Sequence, residues 1–370
     1  MALLSGRTQL HPTSGHSRPR PASRALVVVR AQIASKQAVV LVGDIGGTNA
    51  RLSTWLTDLG STKATQLHAK TYPTSSHETF DDVVTTFLSE PAVRENPPHA
   101  AALAIAGAVV QNRCEMTNIS WVVDGDALQK HHGFCVRLLN DFEAVGYGIP
   151  ALEPSDLVVL NDAQPLPEAP KVVMGPGTGL GAAQLMWDTG MKAYRVWPGE
   201  GAHATFAPRG WKQKALARYA TDLYGHCEIE QVACGSGLEL IYEFLLTDET
   251  ANRPELLGKT QKKTAPQISG AALEGSDPLA VEAVDLMYAI VGAEAGAMAL
   301  RCLAKGGVYI AGGITPKLLP RVQAGSLLEG FLMRNGRAPF HKILTETPLF
   351  VIKNETVGQI GAREFAKRLL

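Results

Sequence analysis

The chain has 370 residues, of which 45% are hydrophobic and 19% are charged. This is the composition of a globular protein, and it excludes disordered, collagen-like and disulfide-rich classes. Lys and Arg together number 35, and so do Asp and Glu. The chain therefore lacks the excess of basic residues that would predict binding to nucleic acid or to an anionic membrane. The five cysteines form no CxxC pair, which predicts neither a disulfide framework nor a cysteine zinc site.

The N-terminal segment differs from the rest of the chain in its charge. No Asp or Glu precedes Asp44, whereas five arginines and many Ser, Thr and Pro residues precede Gln37. Arg-rich, Ser-rich and acid-free composition predicts an organellar transit peptide over residues 1–36. We expect the chloroplast rather than the mitochondrion, because no amphipathic helix is evident there. The alternative is a disordered basic tail that stays attached.

The first half of the chain alternates strand and helix patterns. Apolar runs and turn residues predict strands at Ala38–Gly43, Arg51–Leu56, Leu67–Tyr72, Ala100–Ala106 and Phe134–Leu139. Helices are predicted from Glu78 to Ser89, ended by Pro91, and from Gly125 to His132, ended by Gly133. The proline-rich passage from Pro150 to Pro170 then predicts a loop at a domain boundary.

The second half repeats the opening of the first, because it again begins with a strand, a glycine turn and a strand. Predicted strands are Lys171–Met174, Ala182–Trp187, Gly307–Ala311 and Leu349–Ile352, and predicted helices are Trp211–Leu223, Gly237–Leu246, Asp277–Ala304 and Thr356–Leu369. The apolar stretch Val284–Leu300 contains Asp285 and Glu294, which favours a core helix over a membrane span. The fold class is therefore α/β and duplicated, with a cleft between two domains: a small one of residues 37–150 plus about 352–370, and a large one of residues 151–351.

Two glycine-rich turns carry the first chemical signal. GDIGGTNAR begins at Gly43 and GPGTGLG begins at Gly175, each between two predicted strands. Glycines there let backbone N–H groups approach a phosphate closely, and Asp44 at a strand end is able to hold Mg²⁺, directly or through water. The alternatives are a tight hairpin for the first turn and a flexible loop for the second. A weaker third signal is Gly312-Gly313, after the strand Gly307–Ala311.

Two polar groups carry the second signal. Asn140-Asp141 follows an apolar strand, where a carboxylate faces the cleft of an α/β sheet and can accept a proton; a helix N-cap is the equal alternative. In PGEGAH, Glu200 and His203 lie three residues apart and can offer an acceptor and a donor to a sugar. A solvated loop is the alternative reading of that motif.

Six motifs occur here in the order found in one family: GDIGGTNAR, the Met116–Asn118 segment, Asn140-Asp141, GPGTGLG, PGEGAH and IAGGI. The chain from Ala38 onward closely resembles the bacterial-type glucokinases of the actin-like sugar kinase superfamily. The resemblance implies ATP:glucose 6-phosphotransfer with Mg²⁺, and a two-domain actin-like fold built from duplicated RNase H-like halves. It also implies a homodimer. One departure is Cys234, where the family commonly has serine.

The resemblance also assigns the site. Asp141 matches the general base, and the sugar-binding positions match Asn140, Asp141, Glu200, His203, Glu230, Thr117 and Asn118. The ATP-binding positions match Gly43, Asp44, Ile45, Gly46, Gly47, Thr48, Gly175, Gly177, Thr178, Gly179, Gly312 and Gly313. A chain of this fold has three alternative functions: a different hexose kinase, an actin-like nucleotide hydrolase, and a sugar sensor without catalysis. We expect glucose and ATP as partners, and neither nucleic acid nor membrane.

Overall fold

Most strands of the described residues belong to two mixed sheets. A computed structural model describes residues 37–116, 119–247, 262–333 and 338–370. The predicted transit segment 1–36, together with Thr117 and Asn118, lies outside the described residues.

The first sheet contains five strands in the order β3-β2-β1-β4-β7. These are β1 Gln37–Ile45, β2 Asn49–Asp58, β3 Ala64–Pro73, β4 Ala100–Ile105 and β7 Cys135–Asn140. The first three strands pair antiparallel, and β4 and β7 then add in parallel to β1. A small hairpin, β5 Arg113–Glu115 with β6 Val122–Asp124, stands apart from this sheet. The carboxyl ends of β1, β4 and β7 therefore lie along one edge.

The second sheet contains six strands in the order β11-β10-β9-β12-β13-β8. These are β8 Leu157–Val159, β9 Lys171–Pro176, β10 Leu180–Asp188, β11 Ala193–Gly199, β12 Val308–Ile310 and β13 Leu349–Ile352. Strands β9 to β11 pair antiparallel and β12 and β13 add in parallel, as in the first sheet. The duplicated α/β architecture is thus confirmed, with β8 as an extra edge strand.

The helices surround the two sheets. They are α1 Phe80–Leu88, α2 Pro91–Glu95, α3 Gly125–His132, α4 Asp141–Gly148, α5 Gly210–Tyr224, α6 Gly235–Thr247, α7 Ala265–Glu274, α8 Pro278–Cys302, α9 Leu319–Gln323, α10 Ser326–Leu332, α11 Ala338–Thr345 and α12 Val357–Lys367. Local chemistry sets their ends. Asp124 caps α3 by accepting the amides of Asp126 and Ala127, and Gly133 ends it in the left-handed conformation, as helix-capping preferences predict.

Helix α8 has the length and the apolar composition of a helix that crosses a membrane. In the folded protein, however, 72% of its most apolar stretch is buried. It packs against α6, α7, α10 and β9, within the large hydrophobic cluster of the second half. The predicted core helix is confirmed.

Helices α4 and α12 connect the two sheets. Helix α4 packs on β4 and β7 of the first sheet and on β9, β10 and β11 of the second, and α12 packs on α4, β1 and β4. One hydrophobic cluster accordingly joins Val40 and Ala102 of the first sheet to Val173 and Leu185 of the second. The two halves of the fold share this apolar layer.

Several sequence predictions were wrong in detail. The helix predicted from Glu78 begins at Phe80, because Thr79 and Asp82 form a capping box there, and it ends at Leu88. Pro91, predicted as its end, instead begins α2, since proline fits the first turn of a helix.

Other elements were missed. The proline-rich passage contains β8, which only a distant partner, β13, identifies as a strand. Strand β11 was missed because it ends in Pro198-Gly199. The turn predicted over Gly175–Gly181 is shorter, since β9 continues through Pro176 and β10 starts at Leu180.

The contact between α4 and α12 generates a matched test. A Cβ at Gly361 would lie 1.7 Å from the carbonyl oxygen of Ala144, whereas one at Gly358 would lie 3.7 Å from the nearest Val145 methyl. We expect Gly361→Ala to lower the free energy of unfolding by about 1–3 kcal/mol through overpacking. Gly358→Ala should raise it by up to about 1 kcal/mol through helix propensity. Denaturant unfolding of both variants measures this, and equal midpoints would contradict the packing argument.

Candidate active site

The first glycine turn joins β1 to β2 and is fixed by Thr74. The N–H of Gly46 donates to the carbonyl of Asn49 at 3.0 Å, and the Thr74 N–H donates to the Thr48 carbonyl at 3.0 Å. The Thr74 hydroxyl also donates to the Gly47 carbonyl at 2.8 Å. A shaped, immobilised turn of this kind can present backbone N–H groups to an anion.

The residues before this turn are placed differently from its tip. The side chain of Ile45 is buried in the core, and a Cβ at Gly43 would lie 2.7 Å from Leu103. Both residues therefore offer only backbone atoms to a ligand. Asp44 lies between them at the carboxyl end of β1, opposite Arg51 on β2, whose guanidinium contacts its carboxylate at 3.1 Å.

Asn140 and Asp141 stand next to each other at the start of α4, but their side chains are placed differently. The Oδ1 of Asn140 accepts the amides of Phe142 at 2.9 Å and Glu143 at 3.3 Å, so Asn140 caps α4. Its Nδ2 donates to the carbonyl of Gly107 at 3.1 Å. Asp141 accepts the Phe142 amide at 2.8 Å and faces the cleft. The cap is therefore principally Asn140.

Asp141 lines a cavity of about 340 Å³ between the two sheets, together with Asp44, Phe142, Gly312, Gly313 and Lys317. Desolvation by the surrounding protein raises the pKa of Asp141 above its usual range, and the negative charges of Glu200 and Asp44 add to the rise. The Phe142 N–H opposes it. A carboxyl with a raised pKa in a cleft is typical of functional sites.

The second glycine loop closes against the third glycine motif. A Cβ at Gly175 would lie 2.2 Å from the carbonyl oxygen of Ala311, and one at Gly312 would lie 2.3 Å from that of Pro176. Gly312 also has φ +90, which disfavours other residues. A Cβ at Gly313 would meet nothing within 4 Å, which leaves room beside it in the cavity.

Contacts from outside the loop hold its tip. The Gly177 N–H donates to the Gly179 carbonyl at 2.7 Å, and the Gly235 N–H donates to the Gly177 carbonyl at 3.0 Å. Gly235 begins α6, so the loop is attached to that helix. Thr178, between these glycines, is exposed.

Glu230 joins the second glycine loop to the predicted sugar site. Its Oε2 accepts the Leu180 N–H at 2.8 Å, and a Cβ at Gly179 would lie 2.4 Å from the same oxygen. Glycine at 179 therefore lets the carboxylate approach the loop backbone. One residue thus contacts a predicted phosphate loop while its charge raises the pKa of His203.

His203 is held by Glu228, which the sequence analysis missed. The Nδ1 of His203 lies 2.8 Å from the Glu228 carboxylate. This hydrogen bond raises the pKa of His203, and the charges of Glu230 and Glu200 contribute to the rise. The signal for Glu228 in the sequence was its Glu-x-Glu spacing with Glu230, because this spacing places a second carboxylate next to a predicted sugar-binding residue.

The structure brings most predicted site residues together around the cleft. Asp44, next to the first turn, and Asp141 line the same cavity. The charge of Glu200 acts on both Asp141 and His203. Arg51 and Lys317 are additional basic residues at the site that the sequence analysis did not select. Lys317 follows Gly313 closely in the chain, which was its available signal.

Cys234 is fully buried at the start of α6. Its Sγ accepts the Gly237 N–H at 3.4 Å and lies 3.1 Å from the Ser236 hydroxyl. The thiol thus takes the place of a hydroxyl cap. Burial keeps it away from solvent.

The oxygen donors of the cleft suit Mg²⁺. The charges of Asp44 and Glu200 both raise the pKa of Asp141, so this region concentrates negative charge. Carboxylate oxygens are ligands that Mg²⁺ prefers. Asp44 at the strand end fits the predicted role.

Sequence comparisons with known proteins agree on one family. A family model described as glucokinase matches residues 41–369. The chain is 37% identical over 344 residues to a glucokinase of Synechocystis sp., covering 87% of this chain and 96% of that protein. It is 36% identical over 348 residues to a glucokinase of Nostoc sp., covering 90% and 99%. The crystal structure of a glucokinase from an Antarctic psychrotroph has a TM-score of 0.78 at 26% identity, covering 90% and 99%.

The Glu228–His203 contact predicts a pH effect. Removing the Glu228 charge in Glu228→Gln should lower the pKa of His203, because the imidazolium loses its main partner. Because the pKa of His203 is raised on folding, the charged ring stabilises the fold fully at pH values below its pKa in the unfolded chain, which is about 6.5. This stabilisation is lost as the pH rises through the pKa of His203 in the folded protein. The stability gap between wild type and variant should therefore narrow with rising pH.

NMR titration of the imidazole and denaturant unfolding at several pH values provide the measurements. Glu274→Gln, on the distant helix α7, is the control and should leave the His203 pKa unchanged. An unchanged His203 pKa in Glu228→Gln would contradict the assignment.

Proposed function

The chain belongs to the glucokinase family and catalyses ATP-dependent phosphorylation of glucose, and we propose that Asp141 is the general base of this transfer. One observation carries the proposal. Asn140 supplies the helix cap, so the Asp141 carboxylate is left to line the cleft with Asp44 and Gly313.

The proposed ATP side of the cleft consists of the glycine turns. Backbone N–H groups of Gly46, Gly47 and Thr48 would receive phosphate oxygens on one side, and the 177–179 turn would do so on the other. Gly312 and Gly313 would lie beside the nucleoside. Lys317 and Arg51 add positive charge, which stabilises the charge that a transferring phosphoryl group spreads over its oxygens.

The proposed sugar side consists of polar groups from several loops. Glu200, His203 and Glu230 would bind sugar hydroxyls, with Asn140 offering its remaining amide hydrogen. Glu228 keeps the His203 ring in place through Nδ1, so that Nε2 can face the sugar. Thr117 and Asn118 complete the proposed set.

Asp141 would act directly on the reacting hydroxyl. It would orient the 6-hydroxyl of glucose and take its proton as the oxygen bonds to the γ-phosphorus of ATP. Its raised pKa strengthens it as a base, because proton-transfer efficiency follows basicity. Positioning and charge neutralisation supply the rest of the acceleration.

We further propose that Asp44 holds Mg²⁺, directly or through water. When bound, the ion would neutralise charge on the ATP phosphates. Arg51 keeps the Asp44 carboxylate in place.

We propose a plastid location and a homodimer for this chain. The related glucokinases of Synechocystis and Nostoc are cyanobacterial, which is compatible with a plastid origin. The acid-free, arginine-rich segment 1–36 supports import. The dimer is proposed from family resemblance.

The base assignment predicts a selective loss in Asp141→Asn. The amide keeps the shape and a hydrogen-bond acceptor, but it cannot take a proton. We expect kcat for glucose-dependent ADP release to fall about 10²–10⁴-fold, while glucose affinity, measured by calorimetry without ATP, changes much less. Asp222→Asn, on the exposed surface of α5, is the control and should behave as wild type. Near-normal turnover in Asp141→Asn would refute the assignment.

The targeting proposal predicts import by the first 36 residues alone. A fluorescent protein fused after Lys36 should enter plastids, and the same fusion with its five arginines replaced by glutamine should remain outside. Deleting residues 1–30 from the full chain should leave glucose phosphorylation intact, because β1 begins at Gln37. A cytosolic or mitochondrial signal from the unaltered fusion would contradict the proposal.

A further inference from the structure

Asp81, His131 and His132 form a cluster of metal-ligating side chains away from the catalytic cleft. One carboxylate oxygen of Asp81 and one ring nitrogen of each histidine lie within 4.8 Å of one another. The Nδ1 of His131 is 2.8 Å from Asp81 Oδ2, and the Nε2 of His132 is 2.7 Å from Asp81 Oδ1. Asp81 and His131 line a separate cavity of about 270 Å³, which shares no residue with the catalytic one.

Two well-defined helix ends bring these ligands together. Asp81 lies in the first turn of α1, whose start the Thr79–Asp82 capping box fixes. His131 and His132 occupy the last turn of α3, immediately before Gly133. Carbonyl groups at a helix C-terminus favour a positive charge, so this end of α3 suits a cation.

The histidine rings are arranged as a pair. Their centroids are 4.4 Å apart, and the His132 ring also stacks on Phe134 with an interplanar angle of 25°. The His132 side chain is only 7% exposed, whereas His131 is 57% and Asp81 42% exposed. One ligand is therefore held by packing, and the other two can adjust their positions.

The donor set selects the class of ion. Two imidazoles and one carboxylate suit Zn²⁺ and similar divalent transition metals, whereas Mg²⁺ and Ca²⁺ prefer oxygen ligands. Donors around a tetrahedral Zn²⁺ with bonds of about 2.0–2.1 Å lie roughly 3.3 Å apart. The two Asp81–histidine separations are hydrogen-bond distances of 2.8 and 2.7 Å, so each needs to widen by only about half an ångström. All three donor atoms lie within 4.8 Å of one another.

We propose that Asp81, His131 and His132 bind one divalent transition-metal ion, with water completing its coordination. The ion joins α1 to α3 through ligands, Asp81 and His131, that are 50 residues apart in the chain. Because it binds the folded protein, it stabilises the first half of the fold. The alternative is that no metal binds and that the two histidines only form hydrogen bonds to Asp81. The experiment must distinguish these two cases.

The test is a Zn²⁺ titration of the full-length protein after EDTA treatment and buffer exchange, without nucleotide. Calorimetry measures affinity, and thermal unfolding with and without Zn²⁺ measures stabilisation. The variants are Asp81→Asn, His131→Gln and the double change His131→Gln/His132→Gln. His226→Gln removes another exposed histidine and is the matched control.

We expect a one-to-one Zn²⁺ site in wild type and in His226→Gln, with a rise in the unfolding midpoint. Its affinity should fall at least about tenfold in each cluster variant, and excess Mg²⁺ should not displace Zn²⁺. Glucose phosphorylation should persist in the variants, which shows that they are folded. His131→Gln changes the most exposed ligand and should therefore disturb the fold least. Equal Zn²⁺ isotherms in wild type and all cluster variants, or displacement by Mg²⁺, would overturn the proposal.

Discussion

The close approach of two helix backbones is the constraint on which the rest of the structure depends. Helices α4 and α12 touch main chain to main chain, since Gly361 leaves no room for a side chain beside Ala144, and Gly148 leaves none beside Val357. Helix α4 also contacts both sheets, and its second residue, Phe142, fills the space that Gly181 leaves open. Asp141 is the first residue of this helix. Its position is therefore determined by packing that involves both sheets.

The cleft brings several carboxylates close together. The carboxylates come from four different segments. The charges of Glu200 and Asp44 oppose ionisation of Asp141, and those of Glu230 and Glu200 favour the charged form of His203. Like charges held together in a partly dry site destabilise the fold unless a ligand compensates them. In the proposed site, the hydroxyl donors of glucose and a Mg²⁺ ion would supply that compensation, so relief of the repulsion would contribute to the free energy of substrate binding.

Regular elements with strong local signals could be predicted from the sequence. Helix α3 was predicted to the residue, because an aspartate cap and a terminal glycine bound it, and the buried strand β13 was predicted as well. Strands such as β8 could not be, since three residues become a strand only when a distant strand pairs with them. The glycine loops and Asp141 were found through their motifs. Glu228 was not, because its contact with His203 depends on tertiary approach. That Asn140 caps α4 while Asp141 lines the cleft depended on side-chain orientation.

The C-terminal helix has a consequence for the order in which the protein can fold. Helix α12 covers β1 and β4, and its Lys367 donates a hydrogen bond to the Ser61 carbonyl across 306 residues. Arg363 likewise reaches the Thr62 carbonyl across 301 residues. During synthesis the first sheet therefore exposes part of its apolar face until α12 has left the ribosome. Contacts this distant in sequence slow folding, and an incomplete sheet is a natural substrate for chaperones that shield apolar surface.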